Sequence, residues 1–244
     1  MVIWRAVRAK ADCAQECSHN PADESEYVSH PLSRWAAGVL RDSLLLLTRA
    51  FTRVRAVRPP GEPRAEQTLY FANHNSHGDF MLLWATLPPA LRRDTRPVAG
   101  RDYWLASRLR RFVGEKVFCA LMIRRDASQP GPSPVDQIVE ALHEGSSLIF
   151  FPEGTRNIGE EILQPFRSGL FHVALACPQV RLMPAWIEGT RELLPKGAWL
   201  PVPCRCTVHY GTPIQRLPGE EKDAFIARAR QALLALRPAQ AGRT

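Results

Sequence analysis

A strand-like run and a helix-like run, joined by a polar turn that carries a histidine and an aspartate, constrain this chain most strongly. Thr68-Leu69-Tyr70-Phe71-Ala72 has the apolar, aromatic character of a short buried strand. Phe80-Met81-Leu82-Leu83-Trp84-Ala85 reads as the start of a helix, with Asp79 placed to cap it. Between them lie Asn73, His74, Asn75, Ser76, His77 and Gly78. On one continuous helix, residues five apart point away from each other at ~100° per residue. A strand-to-helix turn can instead fold His74 and Asp79 together. Asp79 would then hold one imidazole nitrogen and leave the other facing a substrate, which is how a general base is oriented.

The same alternation continues down the chain. Residues 96–101 read as a strand, 103–113 as a short helix closed by Gly114, and 117–123 as a strand buried on both faces. Ser133 and Pro134 open a helix whose stripe is Val135, Ile138, Val139 and Leu142, and Gly145 stops it. Strands are expected at 147–151, 180–187 and 204–210, and helices at 169–177 and 222–236. Strands alternating with helices predict an α/β fold with a largely parallel central sheet flanked by helices. In such sheets ligands bind off the carboxyl ends of the strands. The His74 turn and the turn from Pro152 to Arg156 both follow strands, so they can meet at one edge.

Ahead of this domain, residues 1–30 are mixed and polar with no clear period, and are expected to form an extension. Residues 31–63 are expected to be an amphipathic helix followed by a linker broken at Pro59-Pro60-Gly61. Arg34, Arg41, Thr48, Arg49 and Thr52 project to one side of that helix, and Val39, Leu40, Leu44, Leu47 and Phe51 cover much of the rest. This suits an interfacial membrane anchor and equally a helix packed on the core with a wet arginine face. The α/β domain then occupies residues 64–244.

Lys+Arg number 32 against 24 Asp+Glu, a formal charge of +8, and only Lys10, Lys116, Lys196 and Lys222 are lysines. An arginine-dominated excess suits planar, bidentate contact with phosphate or carboxylate and points to an anionic partner. No basic stripe interleaved with aromatics marks a nucleic-acid face. The longest unbroken apolar run, 117–123, is far short of the ~18 residues that span a bilayer, and the first residues lack the apolar stretch of a leader. Cys119 and Cys177 sit in apolar runs as core thiols. Cys204 and Cys206 share a strand face, a poor geometry for pairing and a weak one for metal. Cys13 and Cys17, near His19, have no second pair to complete a zinc site. His74, His77 and Asp79 lack the distal cluster that a metal triad needs. No metal and no bound cofactor is expected.

The motif Asn73-His74-x-Ser76-x-x-Asp79, followed some seventy residues later by Phe151-Pro152-Glu153-Gly154-Thr155-Arg156, resembles the glycerolipid acyltransferase family. The arginines Arg124 and Arg125 after the strand at 117–123, and Met183-Pro184, match two further blocks of that family. The resemblance covers roughly residues 65–215. It implies acyl transfer from an acyl thioester, carried by coenzyme A or acyl carrier protein, to the free hydroxyl of 1-acylglycerol-3-phosphate. The product would be phosphatidic acid, in phospholipid synthesis. A different lysolipid acceptor, such as a lyso-ornithine lipid, is the alternative.

On that resemblance His74 and Asp79 are the catalytic pair, and Arg125, Glu153, Gly154, Thr155 and Arg156 bind substrate. Strand alternation sends one of Arg124 and Arg125 inward, and Arg125 stands directly before the loop. Glu153 and Gly154 would shape the turn, and Glu153 would bind glycerol hydroxyls or orient Arg156. An apolar groove from His74 is expected for the acyl chain. The expected location is the cytoplasmic face of a bacterial inner membrane, with the protein attached peripherally to its anionic surface.

Overall fold

The computed structural model describes residues 31–76, 78–124, 131–190 and 203–238. The extension at 1–30, its Cys13 and Cys17, and also His77, Lys196 and Arg125, lie outside them. The chain opens with helix α1 (Pro31–Thr52). Strands β1 (Arg55–Val57) and β2 (Thr68–Ala72), helices α2 (Asp79–Thr86) and α3 (Pro89–Arg93), and strand β3 (Thr95–Gly100) follow. Two short helices, α4 (Arg101–Trp104) and α5 (Arg108–Phe112), run into a π-helical turn (Val113–Val117) and strand β4 (Leu121–Ile123). The order then runs α6 (Pro134–His143), β5 (Ser147–Phe150), α7 (Gly169–Ala176), β6 (Arg181–Glu188), β7 (Thr207–Tyr210) and α8 (Lys222–Leu234).

The strands make one seven-stranded sheet in the order β1-β7-β6-β2-β5-β3-β4. Neighbours are parallel except β6 and β7, which pair antiparallel. The expected α/β class and largely parallel sheet are therefore present.

β2 sits at the centre, and all five of its residues are buried. Successive side chains alternate between faces. Leu69 and Phe71 enter the core beneath α6, α7 and α8 with Leu142, Leu170 and Phe225. Tyr70 and Ala72 enter the core on the other face with Leu82, Leu83 and Ala37 of α1 and α2. β6 alternates in the same way, Leu182 and Trp186 to one side, Met183, Ala185 and Ile187 to the other. A two-sided position of this kind explains why these strands read as continuous apolar runs.

Several elements differ from the expectation. The stretch 54–63 is not wholly linker: β1 pairs in parallel with β7, Arg55 opposite Thr207. It is an edge strand of three residues, and its pairing partner lies some 150 residues on, so no local signal marks it. The run 117–123 yields only the strand β4. Val117 closes the π-helical turn and Cys119 takes φ +47°. Phe118 is apolar because it packs edge-on against Phe80 and Trp84, at 5.1 and 5.8 Å between centroids. A short apolar run cannot by itself separate a strand from a buried helical turn. The helix expected at 103–113 breaks at Ser107, whose hydroxyl accepts from Arg110 N and starts α5. Cys204 and Cys206 lie on one side as expected, with their Sγ atoms 3.5 Å apart and no disulfide between them.

Helix α1 turns its Thr48–Thr52 side toward the body: Thr52 is buried and its hydroxyl donates to Thr48 O. Arg49 Nη2 donates to Ala85 O at 2.8 Å and Arg58 Nη2 to Thr86 O at 2.5 Å. Two cations thus sit on the last carbonyls of α2, where the helix dipole is negative. Trp35, Val39 and Leu46 face outward, 71%, 47% and 69% exposed. At ~100° per residue they fall within about 40° of one another. The solvent-facing surface of α1 thus carries an apolar stripe beside the exposed Arg34, Arg41 and Arg49.

Candidate active site

β2 and β5 are parallel neighbours with Phe71 opposite Phe150, so the turns leaving their carboxyl ends emerge side by side. Three contacts fasten the first turn. The Asn73 side chain, 1% exposed, donates from Nδ2 to Ile187 O at 3.0 Å and accepts from Ile187 N at 2.7 Å. It continues the β2–β6 ladder one residue past the end of β2. His74 N donates to Glu153 Oε1 at 2.7 Å, and Asn157 N donates to His74 O at 2.6 Å. The histidine backbone is therefore clamped to the second turn on both sides.

Asp79 is the first residue of α2, and Gly78 occupies the cap position without a side-chain bond. The expected N-cap role is thus replaced by a related one. The Asp79 carboxylate reaches back into the turn, not forward into the helix. Its Oδ2 accepts from Asn75 N at 2.6 Å, Ser76 N at 2.7 Å and His74 Nδ1 at 3.0 Å. Its Oδ1 is buried with no partner among the described residues. Because Oδ2 already accepts two N–H groups, it takes a third from the imidazole. That assigns the ring proton to Nδ1 and leaves Nε2 with its lone pair. Phe151 stacks on the imidazole, 4.1 Å between centroids and 16° between planes. The ring plane is thereby held while the side chain stays 18% exposed. This is the geometry of a positioned base.

The second turn is organised by Glu153, which is 3% exposed. One oxygen takes His74 N and the other takes Gln164 N at 3.0 Å. Each oxygen takes one backbone N–H, so Glu153 holds the two turns together, and it makes no ion pair with Arg156 among the described residues. Burial pushes its carboxyl above the ordinary range, opposed by the N–H bonds from His74 and Gln164. Replacing it with glutamine turns an amide N–H toward one of those donors. The Glu153→Gln variant is expected to lose about 1–3 kcal/mol of stability, the cost of a buried unsatisfied group, read as a lower denaturation midpoint.

Gly154 takes φ +73°, a backbone region that side chains disfavour, and its N–H closes the turn onto Phe151 O at 3.0 Å. Thr155 and Arg156 are exposed, and Arg156 forms no hydrogen bond or ion pair among the described residues. It lies one residue before Asn157, whose N–H holds the His74 carbonyl, so the structure brings it to the same edge as the base. Arg124 is half-buried and lies across Gly131.

Among the described residues, no three His, Cys, Asp or Glu side chains are grouped to hold a metal. The two mapped hollows are lined by Arg58, Tyr70 and Tyr210, and by Pro59, Arg181 and Pro213. Neither includes His74, so the apolar groove expected from it is not among them. Asn73, Asn157, Phe151 and Gln164 complete the site without having been anticipated. Asn73 and Phe151 stood inside the two motifs, but the bonds that give them roles cross between turns.

Residues 54–188 match the family model described as Acyltransferase. The chain is 32% identical over 159 residues to a 1-acyl-sn-glycerol-3-phosphate acyltransferase of Limnanthes alba, covering 63% of this chain and 52% of that protein. It is 34% identical over 145 residues to a lyso-ornithine lipid O-acyltransferase of Pseudomonas aeruginosa, covering 57% and 50%. The matched part thus spans about half the length of these relatives. The fold is similar to that of a crystal structure of the 1-acyl-sn-glycerophosphate acyltransferase from Thermotoga maritima. The TM-score is 0.61 at 18% identity, covering 84% of each chain.

Proposed function

Since the chain belongs to the acyltransferase family, we propose that it transfers a fatty acyl group from a thioester to the free hydroxyl of 1-acylglycerol-3-phosphate, giving phosphatidic acid. The observation that carries this reading is the His74–Asp79 pair, with Nδ1 bound at 3.0 Å and Nε2 left as the base. His74 Nε2 takes the proton of the acceptor hydroxyl as its oxygen attacks the thioester carbonyl. Asp79 stabilises the imidazolium that forms. Collapse of the tetrahedral adduct breaks the carbon–sulfur bond, and the imidazolium returns the proton to the leaving thiolate. No covalent acyl-enzyme is required. Arg156, exposed and unpaired among the described residues, supplies a forked contact to the acceptor phosphate, and Arg125 is assigned a second. Coenzyme A or acyl carrier protein carries the donor.

Among the described residues, no helix is long and apolar enough to cross a membrane. The outward stripe of Trp35, Val39 and Leu46, with a net charge of +8, supports docking on an anionic bilayer at its cytoplasmic face. The 34% identity to the Pseudomonas enzyme favours a second reading, with lyso-ornithine lipid as acceptor.

The test is acyl transfer to 1-acylglycerol-3-phosphate and to lyso-ornithine lipid, from acyl-CoA and acyl carrier protein, on anionic and neutral vesicles. The expected result is the highest kcat/KM with the phosphate acceptor on anionic vesicles. A preference for lyso-ornithine lipid would replace the acceptor, and no transfer to any lysolipid would remove the reading.

A further inference from the structure

Arg167 lies outside both motifs, yet the fold delivers it to the same turn. Its backbone N–H donates to Pro152 O at 2.8 Å, and Gln164 N donates to Glu153 Oε2 at 3.0 Å. The segment 164–167 is therefore pinned along the Pro152–Gly154 turn. The Arg167 side chain crosses Gly154 at close range. A Cβ placed on Gly154 would lie 2.5 Å from Arg167 Nε, 2.6 Å from Cδ and 3.2 Å from Cζ. The space that any side chain at 154 would fill is occupied by an arginine stem, so Gly154 is both the left-handed residue of the turn and the berth for Arg167.

The guanidinium has no acceptor among the described residues. Arg167 is exposed and forms no side-chain hydrogen bond or ion pair among the described residues. Several arginines of the body are engaged, Arg49 and Arg58 on α2 carbonyls, Arg96 on Cys119 O, Arg228 on Glu220 and Arg230 on Leu163 O, while Arg167 is held against the site turn without such a partner among the described residues. Glu153, the nearest carboxylate in sequence to Gly154, takes a backbone N–H on each oxygen and makes no ion pair with Arg167. A positive charge is thus held against the site turn with its donors unspent. Arg156, two residues from Gly154, is unspent in the same way. Two planar donor forks on one turn suit a phosphate, which accepts bidentate bonds from each.

We propose that Arg167 is a substrate-binding residue which, with Arg156, contacts a phosphate group of the reactants across Gly154. The proposal rests on the acyl-transfer reading of this cleft and adds a residue to it. The phosphate is either the monoester of the lysolipid acceptor or a phosphate of coenzyme A.

Direct binding separates these sources without requiring turnover. The wild type, Arg167→Gln and Arg167→Lys are titrated with short-chain 1-acylglycerol-3-phosphate, with coenzyme A, and with the matching monoacylglycerol, which lacks phosphate. Arg167→Gln is expected to weaken one phosphate ligand about tenfold, the effect of losing one charge-assisted fork. Arg167→Lys recovers part of that loss, and monoacylglycerol binding and the melting temperature stay as in the wild type. A loss confined to 1-acylglycerol-3-phosphate places Arg167 on the acceptor, and a loss confined to coenzyme A places it on the donor. Unchanged affinity for both, an equal loss for monoacylglycerol, or a wild type that binds neither phosphate ligand overturns the proposal. A wild type that binds phosphate through Arg167 but transfers no acyl group would refute the function and leave this contact standing.

Discussion

Replacing His74 with alanine is expected to lower kcat for acyl transfer about 100- to 10,000-fold, the range for removing a general base, with little change in the folded state. The reason is in how the residue is held. Its N–H is fixed by Glu153 and its carbonyl by Asn157 N, and neither bond uses the ring. The alanine variant keeps the turn, keeps Asp79 bound to Asn75 N and Ser76 N, and loses the one atom that takes the proton. Steady-state kinetics with the phosphate acceptor, beside a melting curve, separate loss of chemistry from loss of fold. Activity within tenfold of the wild type would remove His74 from the mechanism.

Asp79→Asn tests the charge behind the base while preserving most of its bonds. The asparagine carbonyl can take the place of Oδ2 and still accept from Asn75 N, Ser76 N and His74 Nδ1. Its NH2 then falls where Oδ1 is buried with no partner among the described residues, at a cost of about 1–3 kcal/mol in stability. The larger effect is on the rate. The imidazolium that forms as the hydroxyl is deprotonated loses the charge that stabilises it, and kcat is expected to fall about 1,000- to 10,000-fold, as for a general base deprived of its carboxylate. Asp79→Ala goes further and strands two backbone N–H groups, so its melting temperature should fall below that of Asp79→Asn. An Asp79→Asn enzyme with near wild-type kcat would make Asp79 a scaffold residue only.

The parts of the fold that were legible in the sequence are those where neighbouring residues carry the whole signal. β2 and β5 are short runs buried on both faces, and their composition says so. Helix α6 begins where expected because its signals are local. Ser133 accepts from Asp136 N at 3.1 Å, Asp136 returns a bond to Ser133 N at 3.0 Å, and Pro134 takes the first position. The His74–Asp79 contact was legible for a similar reason. Five residues that bend from a strand into a helix have few ways to place an imidazole beside a carboxylate, and the second motif narrowed them further.

The features that the sequence did not show depend on partners distant in the chain. Glu153 reads as a residue that shapes its turn and faces substrate, but only the fold shows that it does so by holding His74 N and Gln164 N, one on each oxygen. The arginines of α1 are exposed as their spacing suggests, but nothing local shows that Arg49 also reaches the carbonyl of Ala85. β1 needs β7 to be a strand at all. Arg167 carries no motif; only the pinning of 164–167 against Pro152–Gly154 sets its guanidinium across the glycine.

From the sequence alone came the class of the fold, the order of its central elements and the pairing of His74 with Asp79, because periodicity, capping and short-range turns are written in adjacent residues. The tertiary structure decided which side of α1 packs on the body, which carboxylate ties the two turns together and which arginines are unpaired among the described residues, because a hydrogen bond made across 36 or 79 residues leaves no local trace in either partner.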